Sequence, residues 1–482
     1  MEIVYENLKV ILPYEILEIE NLYLKEEIND HHILTIKALI DEQYLDDYLK
    51  KETSDIQVRL LIEDKLIYVG KIIGFEISNV NHLTYLNLKF ISYSYDLDVK
   101  RNRRAFINLN YKYKNIIHSV LSKYGSYNFI DNITGEKCIP NLIVQYDETD
   151  LEFFRRIASH FNSVVVIDST SDCIRFNFGI QDIGTESTLL KNFDEVKADF
   201  KMLNDMKNVN KHELDENAFI EWKVECREYF PLGTGFWYCS SNVCVYRLQI
   251  EMIKGEIIYT YYLRPLKGII SQYAINSKLK GVSLEGIIKK EKNNKMQIHF
   301  SINNEYEDDE NNIWFDYCRE INSFYVMPTI GSRVHITFLT GDEKDVCITN
   351  SVRSAGITDK YYNKISNPNN KSYSTEYGQE ILMSPENIQI SEDDGKSIQV
   401  TLNKGGSVSI TGNNISFKSS GKLDIGSKAP FDPKKNIKPK SISISAKNSV
   451  TITRSSDKSI NVSESIQLNE ENHIRGIVKL GR

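Results

Sequence analysis

The C-terminal part of this chain consists of short apolar–polar–apolar triplets. Ile388-Gln389-Ile390 and Val408-Ser409-Ile410 are typical, and the pattern extends from Ser384 to Leu480. No tyrosine occurs after Tyr377, although the chain contains 28. An alternation with a period of two places the apolar side chains on one face of a β-strand. The triplets recur at intervals of roughly eight residues, which predicts a series of short and similar strands.

A single strip of this kind is too narrow to bury its own apolar residues, so the repeats must stack against something. Polar residues between the triplets favour several copies of the chain wound around a shared apolar axis. We therefore predict that residues 381–482 form a trimeric, intertwined β-prism or β-helix, a stiff needle. A β-solenoid within one chain and an open meander are the alternatives. The predicted trimer core consists of apolar triplet residues: Val400, Leu402, Val408, Ile410, Ile415, Phe417, Leu423, Ile425, Ile442, Ile444, Val450, Ile452, Ile460 and Val462.

The composition is that of a soluble globular protein, with 41% hydrophobic and 26% charged residues among 482. The formal net charge of −7 gives no reason to expect binding to nucleic acid. No secretory signal is visible at the N-terminus, and no run of about 18 apolar residues occurs that would span a membrane. We expect a protein that is made in the cytoplasm without a signal peptide.

Seven cysteines are scattered along the chain, and no two of them form a Cys-x-x-Cys motif. An odd number without such motifs favours reduced thiols. Cys239 and Cys244 are close enough in sequence to pair across a hairpin, but we expect buried free thiols instead.

Residues 1–275 contain closely spaced short strands that are rich in β-branched and aromatic residues. This pattern favours a barrel or sandwich of β-strands, with helical insertions around 115–125 and 149–161. Thr149 and Glu152 form a Thr-x-x-Glu capping box, which predicts the start of the second helix.

A compact unit of five short strands is predicted for residues 281–355. Their number and spacing suit an OB-like Greek-key barrel. Acidic residues crowd the predicted loops at 308–310 and 342–345, and they would repel the phosphates of a nucleic acid. Residues 356–380 are largely polar, and we predict that they link this barrel to the needle.

Three further segments carry a recognisable pattern. The first, 145–158, combines a tyrosine with an acidic turn, an aromatic residue and a pair of arginines. The second, 324–334, contains Pro and Gly before a β-rich run, and the third, 341–348, begins with a Gly-Asp turn. In this order, and followed by the triplets, these segments resemble the VgrG and phage late-control hub-spike family of contractile injection systems.

The resemblance implies a mainly β fold with a few helices. Residues 1–275 would be a hub of β-barrel domains, 281–355 a five-stranded OB-fold, and 381–482 the trimeric needle. The chain would be a homotrimeric hub-spike that caps an inner tube and punctures a target envelope when a sheath contracts. Whether the particle is a phage, a bacteriocin-like particle, a type VI-like apparatus or an extracellular machine stays open.

The same resemblance implies a set of partners. These are two further copies of the chain, an inner tube protein, baseplate proteins, a PAAR-like tip protein and effector cargo, with transient contact with the target membrane. Nucleic acid is not among them. The assembled particle would be exported or ejected on sheath contraction.

No catalytic, nucleotide-binding or cofactor motif is present, so we expect neither enzyme activity nor a cofactor. The adjacent Arg155 and Arg156 are expected in structural ion pairs with Asp or Glu of the hub. The carboxylates between Glu148 and Glu152 fit a helix N-terminus, where negative charge is favoured. His31-His32 is expected in a loop or at the surface.

His473 is the candidate metal ligand near the tip of the predicted needle. Many spikes of the family end in a His-x-His motif that binds iron, but His473 has no second ligand in its own chain. Three copies on a threefold axis could bind a metal, since imidazole is a good ligand. A histidine that faces solvent is the favoured interpretation.

A secreted or surface β-solenoid protein that binds or degrades glycans, or that acts in adhesion, is the alternative function. Such a protein would need a pair of carboxylates on a concave face of the solenoid. The triplets contain no such pair.

Overall fold

The computed structural model divides into two compact units, Met1–Arg353 (unit 1) and Ser354–Arg482 (unit 2). Within the described residues the chain is mainly β with a few helices, as the sequence predicts. The described residues are 2–5, 8–50, 52, 56–180, 184–185, 193–198, 216–253, 255–318, 327–352, 367–375, 377–392, 397–413, 415, 441–445, 450–454, 458–462 and 465–469.

The strands of unit 1 are β1 (Glu2–Tyr5), β2 (Leu8–Ile11), β3 (Glu18–Glu27), β4 (Ile33–Ile40), β5 (Gln57–Ile62), β6 (Lys65–Val80), β7 (Leu83–Ser92), β8 (Asn102–Phe106), β9 (Tyr127–Asp131), β10 (Ile143–Glu148), β11 (Val165–Ile167), β12 (Ile174–Phe178), β13 (Gly184–Thr185), β14 (Glu195–Ala198), β15 (Ile220–Cys226), β16 (Gly235–Tyr238), β17 (Ser241–Ile253), β18 (Glu256–Pro265), β19 (Ser283–Lys292), β20 (Lys295–Phe300), β21 (Phe315–Asp316), β22 (Arg333–Phe338) and β23 (Val346–Val352). The α-helices of unit 1 are α1 (Leu45–Lys50), α2 (Tyr113–Leu121) and α3 (Asp150–Ser159). The strands of unit 2 are β24 (Lys371–Ser374), β25 (Glu380–Met383), β26 (Asn387–Glu392), β27 (Ile398–Asn403), β28 (Val408–Gly412), β29 (Ser441–Ser445), β30 (Val450–Arg454), β31 (Lys458–Val462) and β32 (Ser465–Asn469).

The largest sheet of unit 1 contains thirteen strands. Its main path runs β1-β2-β5-β6-β7-β4-β3-β17-β18-β15-β14, and β16 pairs with both β17 and β13. Along β4 and β5 every second residue is buried. Strands from both halves of the path, among them β2, β4, β17 and β18, contribute to one apolar core. The sheet must therefore curl around that core, which is the barrel-type arrangement expected for the N-terminal part.

Helices α2 and α3 correspond to the two predicted helical insertions. The Thr149 hydroxyl accepts a hydrogen bond from the Glu152 amide, and the Glu152 carboxylate accepts one from the Thr149 amide. The predicted capping box is therefore confirmed. Both helices pack their apolar faces against the three-stranded sheet β11-β12-β9 and form a second core with it.

The five strands predicted between residues 281 and 355 are all present as one sheet, in the order β21-β20-β19-β22-β23. A parallel bridge between Tyr317 and Ile348 connects the two outer strands and closes the sheet. Leu284, Ile298 and Val334 are among the residues of its buried core. Its assignment to the OB fold, with limits at 281 and 355, stays a prediction.

Unit 2 contains an antiparallel meander of five strands, β24-β25-β26-β27-β28. Two further pairs, β29-β32 and β30-β31, are also antiparallel. Residues 371–374, which the sequence analysis assigns to a linker, instead form β24 of the meander. Because its strands follow one another in sequence order, the described meander is an open sheet within one chain and not a coil of a solenoid. The predicted core residues Phe417, Leu423 and Ile425, and the candidate ligand His473, lie outside the described residues.

Candidate functional site

The triplets of unit 2 are strands whose apolar residues share one face of the sheet. The register aligns Ile390 with Val400 and Val400 with Ile410. Directly paired residues of antiparallel strands lie on the same face, so these contacts form rows across the sheet. We call the resulting surface the apolar face. It comprises Tyr373, Ile381, Met383, Ile388, Ile390, Ile398, Val400, Leu402, Val408 and Ile410.

The apolar face is the uncovered face of the meander. Ile390 is 49% exposed, Val408 65% and Ile410 46%. On the opposite, polar face Ser391 and Thr401 are buried. A half-buried antiparallel sheet ordinarily turns its polar face to water and its apolar face inward. A contiguous exposed apolar surface of this kind marks an interaction site.

The remaining described triplets follow the same pattern in their backbone register. Ile442 pairs with Leu468 and Ile444 with Ile466, while Val450 pairs with Val462 and Ile452 with Ile460. Each pair joins two apolar residues of different triplets. The prediction that these triplets form strands is confirmed, and the intertwining of three chains stays a prediction.

A second site is a buried ion cluster at the junction between α3 and the five-stranded sheet. Arg156 on α3 donates from Nε and Nη2 to the two carboxylate oxygens of Glu148, at 2.7 and 2.9 Å. Its Nη1 donates to Oε1 of Glu343, at 2.6 Å, in the turn that joins β22 to β23. Nη2 also donates to the Val144 carbonyl at 2.8 Å. We call these four residues the junction cluster.

The junction cluster is almost inaccessible to solvent, since the side chains of Arg156, Glu148 and Glu343 are each less than a tenth exposed. Burial raises the pKa of Glu148 even though Arg156 opposes that rise. Burial would lower the pKa of Arg156, but the charges and hydrogen bonds of Glu343 and Glu148 outweigh it and raise the pKa. The guanidinium therefore stays charged and holds the helical insertion to the five-stranded sheet.

A buried carboxylate at the start of α3 reinforces this arrangement. The side chain of Asp150 accepts five hydrogen bonds, and its donors are Asn102, Arg104, Lys123, Tyr124 and Gln145. Burial alone would raise the pKa of Asp150, but the hydrogen bonds and the Arg104 charge hold it below its usual value. A carboxylate with this many donors positions chain segments and is not available to abstract a proton.

The sequence-based expectations for charged residues are met in part. The ion pair of Arg156 with a carboxylate of residues 1–275, Glu148, is present. Its second partner, Glu343, belongs to the five-stranded sheet and was not predicted. Arg155 lies 4.0 Å from Asp30. Only the Gly-Asp turn at 341–348 could have pointed to Glu343, because a contact over 187 positions leaves no local signal.

His31 and His32 lie in the loop that joins β3 to β4, as expected, but their side chains are not at the surface. The His31 ring is hydrogen-bonded to Ser94 and Asp98, both at 2.8 Å, and His32 to Ser169 at 2.9 Å. His32 is buried. Both rings thus connect the large sheet to neighbouring segments of unit 1, and the adjacent pair points to two different sets of partners.

Among the described residues, no group of His, Cys, Asp and Glu side chains is arranged to hold a metal ion. The helices in that part of the chain are all too short or too polar to cross a membrane.

The fold and the two sites define a class of β-rich protein with a large curled sheet, a closed five-stranded sheet and a C-terminal sheet whose apolar face is open. No protein-family model and no curated protein matches the sequence. Solved structures match the fold at low sequence identity. The chain has the fold of the VgrG and phage hub-spike proteins.

One such structure is the E. coli c3393 protein, a component of the type VI secretion system with structural similarity to the T4 bacteriophage tail proteins gp27 and gp5. It is 12% identical, with a TM-score of 0.52 over 71% of this chain and 99% of that chain. Another is the Francisella PdpA–VgrG complex, at 9% identity and a TM-score of 0.51, over 84% of this chain and 79% of that chain.

Proposed function

We propose that this protein is a homotrimeric hub-spike of a contractile injection apparatus. In this role the large sheet of unit 1 caps an inner tube, and unit 2 supplies a needle that punctures a target envelope. The observation that supports the proposal is the apolar face of unit 2, which the described residues of one chain leave open to water. Burial of this face against identical faces removes its apolar side chains from water.

Three copies explain this face better than two. Two sheets placed face to face make a sandwich with open edges, whereas three sheets around one axis cover both the apolar faces and the edges. Uncovered edges recruit unwanted strands. The resemblance of segments 145–158, 324–334 and 341–348 to the hub-spike family favours three copies as well.

The mechanism is mechanical and needs no catalytic group. Paired backbone hydrogen bonds and rows of buried aliphatic side chains make a needle stiff along its axis. The junction cluster passes load between the helical insertion and the five-stranded sheet, because Arg156 binds carboxylates of both. An ion cluster with three short, buried hydrogen-bonded contacts resists shear better than apolar contacts, which are non-directional.

The likeness to c3393 and to the VgrG complex with PdpA supports assembly with other tail or hub components. We infer an inner tube protein, baseplate proteins and effector cargo, with a PAAR-like protein at the tip. The protein would be assembled in the cytoplasm into a particle and ejected from it on sheath contraction.

Light scattering coupled to size exclusion tests the proposal on the full chain. The expected mass is three times the 55.7 kDa of one chain. A mass of one or two chains at micromolar concentration would contradict the trimer. Co-purification with tube and baseplate proteins from the native cell supports the role in a particle. A trimer that co-purifies with no such protein would agree with the proposed trimer but would refute the role in a particle.

A further inference from the structure

One stretch of the large sheet has a free edge. Strand β6 is 16 residues long, but β5 pairs only with its first part, up to Lys71. Ile72 then donates one backbone hydrogen bond to Ile56. From residue 73 to residue 80, β6 pairs with β7 on one side. No backbone hydrogen bond joins its other side to another described residue. We call residues 73–80 the open edge of β6.

The same sheet ends at a second free strand. Strand β14 is the last strand of the main path, and it pairs with β15 on one side only within the described part of the chain. All four of its side chains are exposed. An unpaired strand edge is a site at which a further strand can add to a sheet. One chain therefore offers two free edges, which belong to two different strands of one sheet.

Both edges leave an apolar residue of the core face uncovered. Phe75 on β6 is aligned with the buried Leu88 of β7, so it lies on the core face, yet it is 41% exposed. Val196 on β14 is aligned with the buried Trp222 of β15, yet it is 44% exposed. A further strand beside each edge would cover these side chains, which the single chain leaves in water.

We propose that β14 of one copy of this chain pairs in antiparallel orientation with the open edge of β6 of a second copy. The large sheets of neighbouring copies then become one continuous sheet. The two edges that meet are different, so each copy uses β14 towards one neighbour and β6 towards the other. The inference rests on the proposed function, because such head-to-tail contacts close into a ring, which here contains three copies.

The side chains of the two edges match in one register. In it the opposed pairs are Val196 with Ile77, Ala198 with Phe75, Lys197 with Glu76 and Glu195 with Ser78. The first two pairs are apolar and lie on the core face, because these residues are aligned with core-face residues in their own chains. The third pair joins opposite charges on the outer face. Lys197 is 65% exposed and binds Glu195 of its own strand at 2.9 Å, and Glu76 has no ion-pair partner among the described residues.

The neighbouring registers are less favourable. A parallel strand at the same place would set Glu195 opposite Glu76, and so would an antiparallel strand shifted by two residues towards residue 73. Like charges directly opposite each other destabilise a pair of strands. A shift of two residues in the other direction sets Val196 opposite the polar Asn79. A shift of one residue would turn Val196 to the outer face.

Crosslinking with a water-soluble carbodiimide tests the contact in the full-length trimer. The reagent activates a carboxylate, and a lysine amine in contact with it displaces the activating group and forms an amide. The expected crosslink joins Glu76 and Lys197, which lie in tryptic peptides 72–89 and 192–201. Products that contain it should have the mass of two or three chains of 55.7 kDa on a denaturing gel. The intrachain pair of Lys37 and Glu20, at 2.5 Å, is the internal reference and should crosslink in every sample.

Charge variants make the test specific. Glu76→Lys and Lys197→Glu should each lose the crosslink at these positions, because two like charges then face each other. The double variant Glu76→Lys/Lys197→Glu should regain it. The control Glu285→Lys makes the same change of charge on an exposed residue of the five-stranded sheet, and it should crosslink as the wild type does. None of these substitutions removes a buried side chain.

Two results would overturn this inference and leave the trimer standing. One is a trimer in which Lys37 and Glu20 are crosslinked but peptides 72–89 and 192–201 are not joined. The other is a crosslink between these peptides that occurs only in products with the mass of one chain, since β14 would then lie beside β6 of its own chain. A monomeric mass before crosslinking would contradict both the trimer and this contact.

Discussion

The same alternation of apolar and polar residues leads to opposite outcomes in the two units. Leu34 and Ile36 on β4 of unit 1 point into a core and are almost completely buried. Ile388 and Ile390 on β26 of unit 2 have the same spacing, yet they lie on a face that is open to water. Both strands are antiparallel and both are flanked by partners on two sides.

The two units differ in whether the chain supplies a second apolar layer that covers the apolar face of the sheet. In unit 1 the large sheet curls, so residues from distant strands such as β2 and β17 cover each other. The described residues of unit 2 contain triplets and polar connections but no second apolar layer. A period of two therefore specifies a two-sided strand, and it does not specify what covers the apolar side. In unit 2 we infer that the cover is another copy of the chain.

The largest effect is expected from a charge on the apolar face. Ile410→Asp should abolish the trimer, because it would bury three carboxylates near one another at a cost of several kcal/mol each. Ser409→Asp, one residue away on the polar face, is the matched control and should leave the mass unchanged. Light scattering of both variants makes the comparison. If Ile410→Asp keeps the mass of three chains, the apolar face is not the contact.

The next effect concerns the self-contained core of unit 1. Arg156→Ala leaves Glu148 and Glu343 buried without their partner, and we expect a loss of about 3–5 kcal/mol in the free energy of unfolding. The measurement is the urea midpoint followed by circular dichroism. Arg227→Ala, which removes an exposed ion pair with Glu256, should not move the midpoint. Equal midpoints for Arg156→Ala and the wild type would refute the role of the junction cluster.

Acid should weaken unit 1 through Asp150. Its pKa is lower in the folded than in the unfolded protein, so its contribution is present above the ordinary value of about 3.9 and is lost as the pH falls through the folded pKa. Glu148 has the opposite sign, because its raised pKa makes the folded state bind a proton more readily. Comparison of the wild type with Asp150→Asn isolates the contribution of Asp150 to the pH dependence of unfolding. A wild type and a variant with the same pH dependence of unfolding would contradict this assignment.

The smallest of these effects is the loss of the helix cap. Thr149→Ala removes the hydroxyl that accepts from the Glu152 amide and donates to Asp98, and should destabilise unit 1 by about 1–2 kcal/mol. Thr149→Ser keeps the hydroxyl and should restore most of the loss. The free energy of unfolding in urea is measured for the wild type and both variants. If Thr149→Ala and Thr149→Ser lose the same amount, the methyl group of Thr149 stabilises the protein and the hydroxyl cap does not.

The sequence was informative where the cause is local. The triplets predicted strands, Thr149 and Glu152 predicted a capping box, and the five runs between 281 and 355 predicted the strands of the closed sheet. Each of these patterns depends on residues within a few positions of one another, and period and capping chemistry are visible at that range.

The sequence did not predict contacts between residues that are far apart in the chain. Nothing near Arg156 indicates that Glu343 completes its ion cluster, and nothing near His31 or His32 indicates that Asp98 and Ser169 surround them. These contacts exist only once the sheets have curled and closed. In the same way, nothing in the polar residues Lys371 and Ser374 of the predicted linker indicates that they pair with β25.

The central claim is that the apolar face of unit 2 is covered in solution. Hydroxyl-radical footprinting with mass spectrometry measures this directly at Val408, with Val99 of unit 1 as an internal reference, since both valines are 65% exposed within one chain. We predict that Val408 is oxidised several-fold more slowly than Val99 in the native protein and at the same rate in urea. Oxidation of Val408 in the native protein as fast as in urea would contradict the account.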